Sequence, residues 1–106
     1  MSTVYLIRQV DQEGKELYKI GITKNPIETR IKCLQTGNPC KLDLQGFYTS
    51  ENYKKIESFL HRLYQSNRLE GEWFQLTNSQ VLAFQTECEN FDKTITMLLS
   101  MNPFYN

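Results

Sequence analysis

A chain of 106 residues has room for one domain with one modest core, and its 12 basic residues balance 12 acidic ones, which excludes a general electrostatic pull toward polyanions. Any binding of nucleic acid must then come from a local basic face. Three cysteines, Cys33, Cys40 and Cys88, are odd in number and irregularly spaced around a lone histidine, His61, which argues against both a disulfide framework and a zinc site.

No apolar run approaches the length of a membrane span. Met1-Ser2-Thr3 leads straight into a strand-like run, so no secretory signal is expected there. Free thiols and no leader predict a cytoplasmic protein with no membrane partner.

Residues 3–10 are β-branched and aromatic and predict a strand. Asp11-Gln12-Glu13-Gly14 is a polar turn, and residues 16–23 form a second strand, so the pair reads as a hairpin. Asn25 and Pro26 then suit the cap and first position of a helix, with Glu28 near its positive end. That helix should run to about Gln35 and stop at Thr36-Gly37-Asn38-Pro39.

Lys41 to Tyr48 alternate and predict a third strand. Ser50 is a candidate N-cap for a helix over about 51–66. Glu72 to Leu76 read as a short strand or strand-like edge. Asn78 or Ser79 starts a last helix to about Ser100, with Val81, Leu82, Phe84, Cys88, Phe91, Ile95, Leu98 and Leu99 at helical spacing and Met101-Asn102-Pro103 as its end. The order ββαβα plus an extra helix predicts an α/β (α+β) sandwich with a small sheet, in a single domain over 1–106.

Strand parity limits which side chains can meet. Leu17, Lys19, Gly21 and Thr23 share one face of the second strand; Tyr18, Ile20 and Ile22 share the core face. Pairing Val4 and Leu6 with the Ile20/Ile22 side puts Tyr5 with Lys19, Gly21 and Thr23. A tyrosine beside a lysine is a workable proton-transfer pair, and Gly21 leaves space for something to approach. Packing as a strand aromatic is the plainer role for Tyr5.

In the first helix Ile27, Ile31 and Leu34 form a stripe, and Arg30 lies on its edge. There its planar fork could clamp a phosphate, or it could simply snorkel or form an ion pair. In the second helix Ile56, Phe59, Leu60 and Leu63 form the stripe. Glu57 flanks it, with His61 one turn beyond, which suits a hard divalent cation or merely a surface Glu–His pair. Trp73 and Phe74 point to opposite faces of their strand, so only one can be fully inside.

These pieces occur in a familiar order: Val4-Tyr5-Leu6-Ile7, Lys19-Ile20-Gly21-Ile22-Thr23, Arg30, Leu34-Gln35-Thr36-Gly37-Asn38-Pro39, Glu57 with His61, and Gly71-Glu72-Trp73-Phe74. Together they resemble the small phage and microbial branch of the GIY-YIG nuclease superfamily, over about residues 3–77. The resemblance implies a three-stranded central sheet flanked by helices, with the helix at about 78–101 as an addition. It also implies a divalent metal, Mg2+ or Mn2+, held by Glu57. Tyr5, Lys19, Arg30 and Glu57 become the expected catalytic residues, and Gly21, Thr23, Lys24, Asn25 and His61 the expected substrate-binding ones. The chain departs from the pattern at Thr3 and Val4, which replace glycine and isoleucine, and at Lys19, which replaces the second tyrosine. Lys19 or Lys24 would then supply the base.

The leading expectation is a metal-dependent endonuclease or nickase, acting on DNA in preference to RNA with low sequence specificity, in a setting such as a phage-infected cell. One alternative is a nucleic-acid-binding module that has lost catalysis. Another is an interaction domain that binds a targeting partner or forms a homodimer through Phe84, Phe91, Met97 and Leu98 of the last helix.

Overall fold

The computed structural model describes residues 2–101. Two strands, β1 (Thr3–Val10) and β2 (Glu16–Thr23), form the expected hairpin, in register from Thr3 opposite Thr23 to Val10 opposite Glu16. The Asp11 carboxylate closes the turn by accepting the backbone N–H groups of Glu13 and Lys15, both at 2.9 Å, and Gly14 supplies the positive φ of 82°. Helix α1 (Ile27–Gln35) follows, then β3 (Leu42–Thr49), α2 (Tyr53–Leu63), a 3₁₀ turn at Gln65–Asn67, β4 (Trp73–Phe74) and α3 (Asn78–Met101).

The sheet is antiparallel with order β3-β1-β2-β4. The expected three strands are present, and the short Trp73–Phe74 segment adds a fourth by pairing with Tyr18 and Lys19 at the edge. On β3 the register slips between the partners of Leu6 and Ile7, which leaves Gln45 as an extra residue. An α+β sandwich results, as the periodicity implied.

Each face of the sheet has its own apolar cluster. Val4, Leu6, Tyr18, Ile20 and Phe74 pack with Ile56, Leu60 and Tyr64 of α2 and Phe84 and Cys88 of α3. On the opposite face Tyr5, Ile7 and Leu42 pack with half-buried Ile27, Ile31, Leu34, Leu44 and Trp73. No residue of α1 is fully buried. The large cluster is therefore the principal stabilising core, while α1 covers the other face thinly.

Two helix starts differ from expectation, while α3 begins at Asn78 as expected. Asn25 and Pro26 do not cap and open α1: the helix begins at Ile27, and the Asn25 N–H donates to Thr23 Oγ1 at 3.0 Å instead. Ser50 sits before α2 rather than at its cap; its hydroxyl accepts the Asn52 N–H at 3.0 Å and donates to Asp92 at 2.9 Å. The cap of α3 is Thr77, which accepts the Gln80 N–H at 3.2 Å while Gln80 Oε1 accepts the Thr77 N–H at 2.9 Å, a reciprocal capping box. Asn102 and Pro103, expected to end α3, lie outside the described residues.

Asp92 of α3 accepts hydrogen bonds from Tyr48 Oη (2.7 Å), Ser50 Oγ (2.9 Å) and Asn52 Nδ2 (2.8 Å). One carboxylate thus ties the far half of the last helix to the β3–α2 junction. Burial alone would raise its pKa, but these three donors outweigh that and hold it below the usual aspartate value.

Candidate functional site

Register places Tyr5 opposite Gly21, and the tyrosine ring lies directly over the glycine. A Cβ at position 21 would stand 2.6 Å from Tyr5 Cζ and closer still to the hydroxyl, so any larger residue would displace the ring. Gly21 is needed here for close approach, not for a turn.

Tyr5 is fully buried, because α1 lies across it. Its hydroxyl accepts a hydrogen bond from Arg30 Nε at 3.4 Å, long but within range. That bond, the largest influence on the guanidinium, raises its pKa, and the nearby Glu72 carboxylate acts in the same direction. Since Nε is committed to Tyr5, the two terminal nitrogens of the fork remain to meet an anion.

Lys19 does not pair with Tyr5 as strand parity suggested. Its Nζ lies 3.1 Å from Glu72 Oε2 and 5.5 Å from the centroid of the Trp73 ring. The physical reason is β4: pairing Trp73 with Lys19 brings Glu72 alongside, and a carboxylate and an aromatic face both draw the ammonium away from the phenol. Of the two aromatic neighbours on that strand, Phe74 is the one inside and Trp73 is half-exposed.

Glu57 lies on α2, which packs on the other face of the sheet. It is half-buried, and its Oε2 is enclosed without a hydrogen-bond partner among the described residues. Desolvation raises its pKa; His61 and Lys19 pull it down, and Glu72 pushes it up. The charge of Glu72 raises the pKa of both Arg30 and Glu57. Sequence reasoning passed over Glu72; its place beside the tryptophan in an edge strand was the available signal.

His61 is not free beside Glu57. Its Nε2 lies 2.9 Å from the Ile20 carbonyl oxygen, and its ring meets Phe74 edge-on at 5.1 Å between centroids. It ties α2 to β2 and so fixes the height of Glu57 along the sheet. Thr23 is buried, and its Oγ1 shapes the turn into α1, while Lys24 and Asn25 are exposed on that turn. Among the described residues no three His, Cys, Asp or Glu side chains gather into a metal-binding group.

The arrangement thus offers a guanidinium held by a buried phenol on one face of the sheet, a carboxylate with one enclosed, unpartnered oxygen on the other, and a Lys19–Glu72 pair at the β4 edge. The T5orf172 domain family matches residues 2–89. A protein of Invertebrate iridescent virus 6 named for a KilA-N domain, 315L, is 32% identical over 84 residues, which covers 74% of this chain and 34% of the viral protein. The chain therefore spans about a third of the length of that relative. No solved structure matches the chain. No helix among the described residues is long and apolar enough to cross a membrane.

Proposed function

The chain belongs to the T5orf172 domain family, a nuclease-like family, and from that premise we propose that it is a metal-dependent endonuclease or nickase of the GIY-YIG type, cutting DNA with little sequence preference of its own. The observation that carries this reading is Glu57. A half-buried carboxylate with one enclosed oxygen and no partner is costly unless something cationic joins it. The donor chemistry fits Mg2+ or Mn2+, which favour hard carboxylate oxygens. Bound there, the metal would supply Lewis acidity and a water of lowered pKa.

The rest falls to this chain's own side chains. Arg30 presents its terminal nitrogens to a phosphate oxygen and offsets charge that grows in the transition state. Tyr5, with no exposed surface, acts through Arg30: it fixes the guanidinium instead of touching the attacking water. Lys19, with Glu72, shapes the potential between the two faces, and exposed Lys24 remains the candidate to hold the departing strand. Gly21 and Thr23 set the backbone at the floor of the site, Asn25 borders it, and His61 positions Glu57.

The test is supercoiled plasmid incubated with Mg2+, Mn2+ or EDTA, beside Glu57→Ala and Arg30→Ala. Metal-dependent nicking lost in both variants supports the assignment; nicking that survives Glu57→Ala removes the metal role. A second reading, a nucleic-acid-binding module without catalysis, gains support from one geometric fact: Lys19 is held by Glu72 instead of facing Tyr5. That reading predicts salt-sensitive DNA binding and no cutting with any metal.

A further inference from the structure

Zero net charge leaves open which surface would hold a polyanion, and the distribution of charge on α2 answers it. Going round that helix from its buried stripe of Ile56 and Leu60, one meets Glu57 and His61, then Lys54 and Ser58, then Arg62 and Lys55, then Phe59. The only acid on the helix is Glu57, which is half-buried. The charged residues of its exposed face are therefore all cations.

Lys54, Lys55, Ser58 and Arg62 line a groove of about 300 Å3 whose far wall is Phe91 of α3. That wall is firm, because Phe91 stacks on Phe59 with centroids 4.1 Å apart and planes 7° from parallel. All four polar lining residues are exposed. None of the three cations makes an ion pair among the described residues, whose salt bridges use Arg8 and Lys19. Lys54 is oriented only by the Tyr53 ring, 5.9 Å from its Nζ. Basic residues elsewhere are partly spent: Arg8 pairs with Glu16 at 3.8 Å and Asp43 at 3.4 Å, and Lys19 with Glu72 at 3.1 Å.

We propose that this α2–α3 groove is a phosphate track that holds the backbone of DNA beyond the cut site, with Lys54, Lys55 and Arg62 each meeting a phosphate. It rests on the nuclease-like reading only in taking DNA as the polyanion. Three uncompensated cations beside an acid-free lining attract a polyphosphate in register with the helix turn. Their angular order continues directly from Glu57, so one strand can pass from the site onto the track. The groove reads no base: it carries point charges and one aromatic wall, which fits low sequence preference.

The test is fluorescence anisotropy with a short duplex DNA over a salt series, without metal, on the full chain. Lys54→Gln with Arg62→Gln is compared with Lys15→Gln with Lys41→Gln. The second pair removes the same charge from the β1–β2 turn and from the residue before β3, at the other end of the sheet. The first pair should lower the slope of log K against log salt by about 2 and weaken binding about tenfold, while the second pair stays near the unsubstituted chain. Equal effects of the two pairs would reduce the effect to net charge and overturn the track. So would an unchanged slope in the first pair, or an unsubstituted chain that shows no salt-dependent DNA binding. Plasmid nicking measured alongside separates the two readings. Cutting with an unchanged slope sinks only the track; the expected slope change without cutting sinks only the nuclease.

Discussion

Replacing Glu57 with Gln should make the metal-free protein more stable while removing its activity. The folded state raises the carboxyl pKa, chiefly by desolvation, and leaves Oε2 without a partner. A buried group left unsatisfied costs about 1–3 kcal/mol. The glutamine amide also needs partners, so the net gain at neutral pH is about 1 kcal/mol, or about 4 °C in Tm for a domain of this size. The sign with pH follows from linkage. A carboxyl whose folded pKa is raised contributes most favourably below its unfolded value and loses that contribution as pH rises through the folded value. The gap between variant and parent should therefore be near zero in acid and open as pH rises from the ordinary glutamate range. Thermal melts in EDTA across that range measure it. Adding Mg2+ or Mn2+ should then stabilise the parent alone, by about 1.4 kcal/mol at ten times the dissociation constant. A variant less stable than the parent in EDTA at neutral pH, or a gap that ignores pH, would refute the claim that Glu57 is held at a cost for the sake of a cation.

Other perturbations test the neighbouring contacts. Gly21→Ala should push the Tyr5 ring off its seat and lower stability by about 1–3 kcal/mol in urea unfolding, as overpacking does; Tyr5→Phe alone should cost less and leave the fold intact. Arg30→Lys keeps the charge but loses the fork, so nicking should fall at least tenfold, about 1.4 kcal/mol, with thermal stability nearly unchanged. Asp92→Ala should destabilise by about 2–3 kcal/mol, because three donors lose their acceptor. Since the folded pKa of Asp92 is depressed, its contribution is present above the unfolded value and is lost as pH falls through the folded one. Parent and Asp92→Ala should therefore converge in stability in strong acid.

The parts of the fold visible in the sequence were those set by local pattern. Alternation in the first two strands fixed which face Tyr5 and Gly21 share, because a hairpin with a short turn admits few registers. Spacing also found the buried residues Ile56 and Leu60 of α2 and Phe84, Cys88 and Ile95 of α3, but it placed Leu63, Leu82 and Leu98 in those stripes, and all three are exposed. Contacts between segments distant in the chain were not readable from spacing. Asp92 meets Tyr48 and Ser50 only because α3 returns across the sheet, and nothing near Asp92 announces it. Glu72 reaches Lys19 only because two residues of β4 find the open edge of β2. The cap errors have a local cause: Thr23 and Ser50 offered their hydroxyls to neighbouring backbone N–H groups first, and the chain took those turns before starting each helix.

The two faces of the sheet are not equally secured, and Arg30 rides on the weaker one. With no fully buried residue, α1 is the least buried of the three helices. Its amides should exchange with solvent through a partial opening well below the free energy of global unfolding, while α2 and the hairpin stay closed. In such an opened form the Tyr5 hydroxyl is uncovered and the guanidinium is released from it. The protein would then exist as a small ensemble with two arrangements of its arginine, and a bound phosphate would favour the closed one through the affinity difference between them.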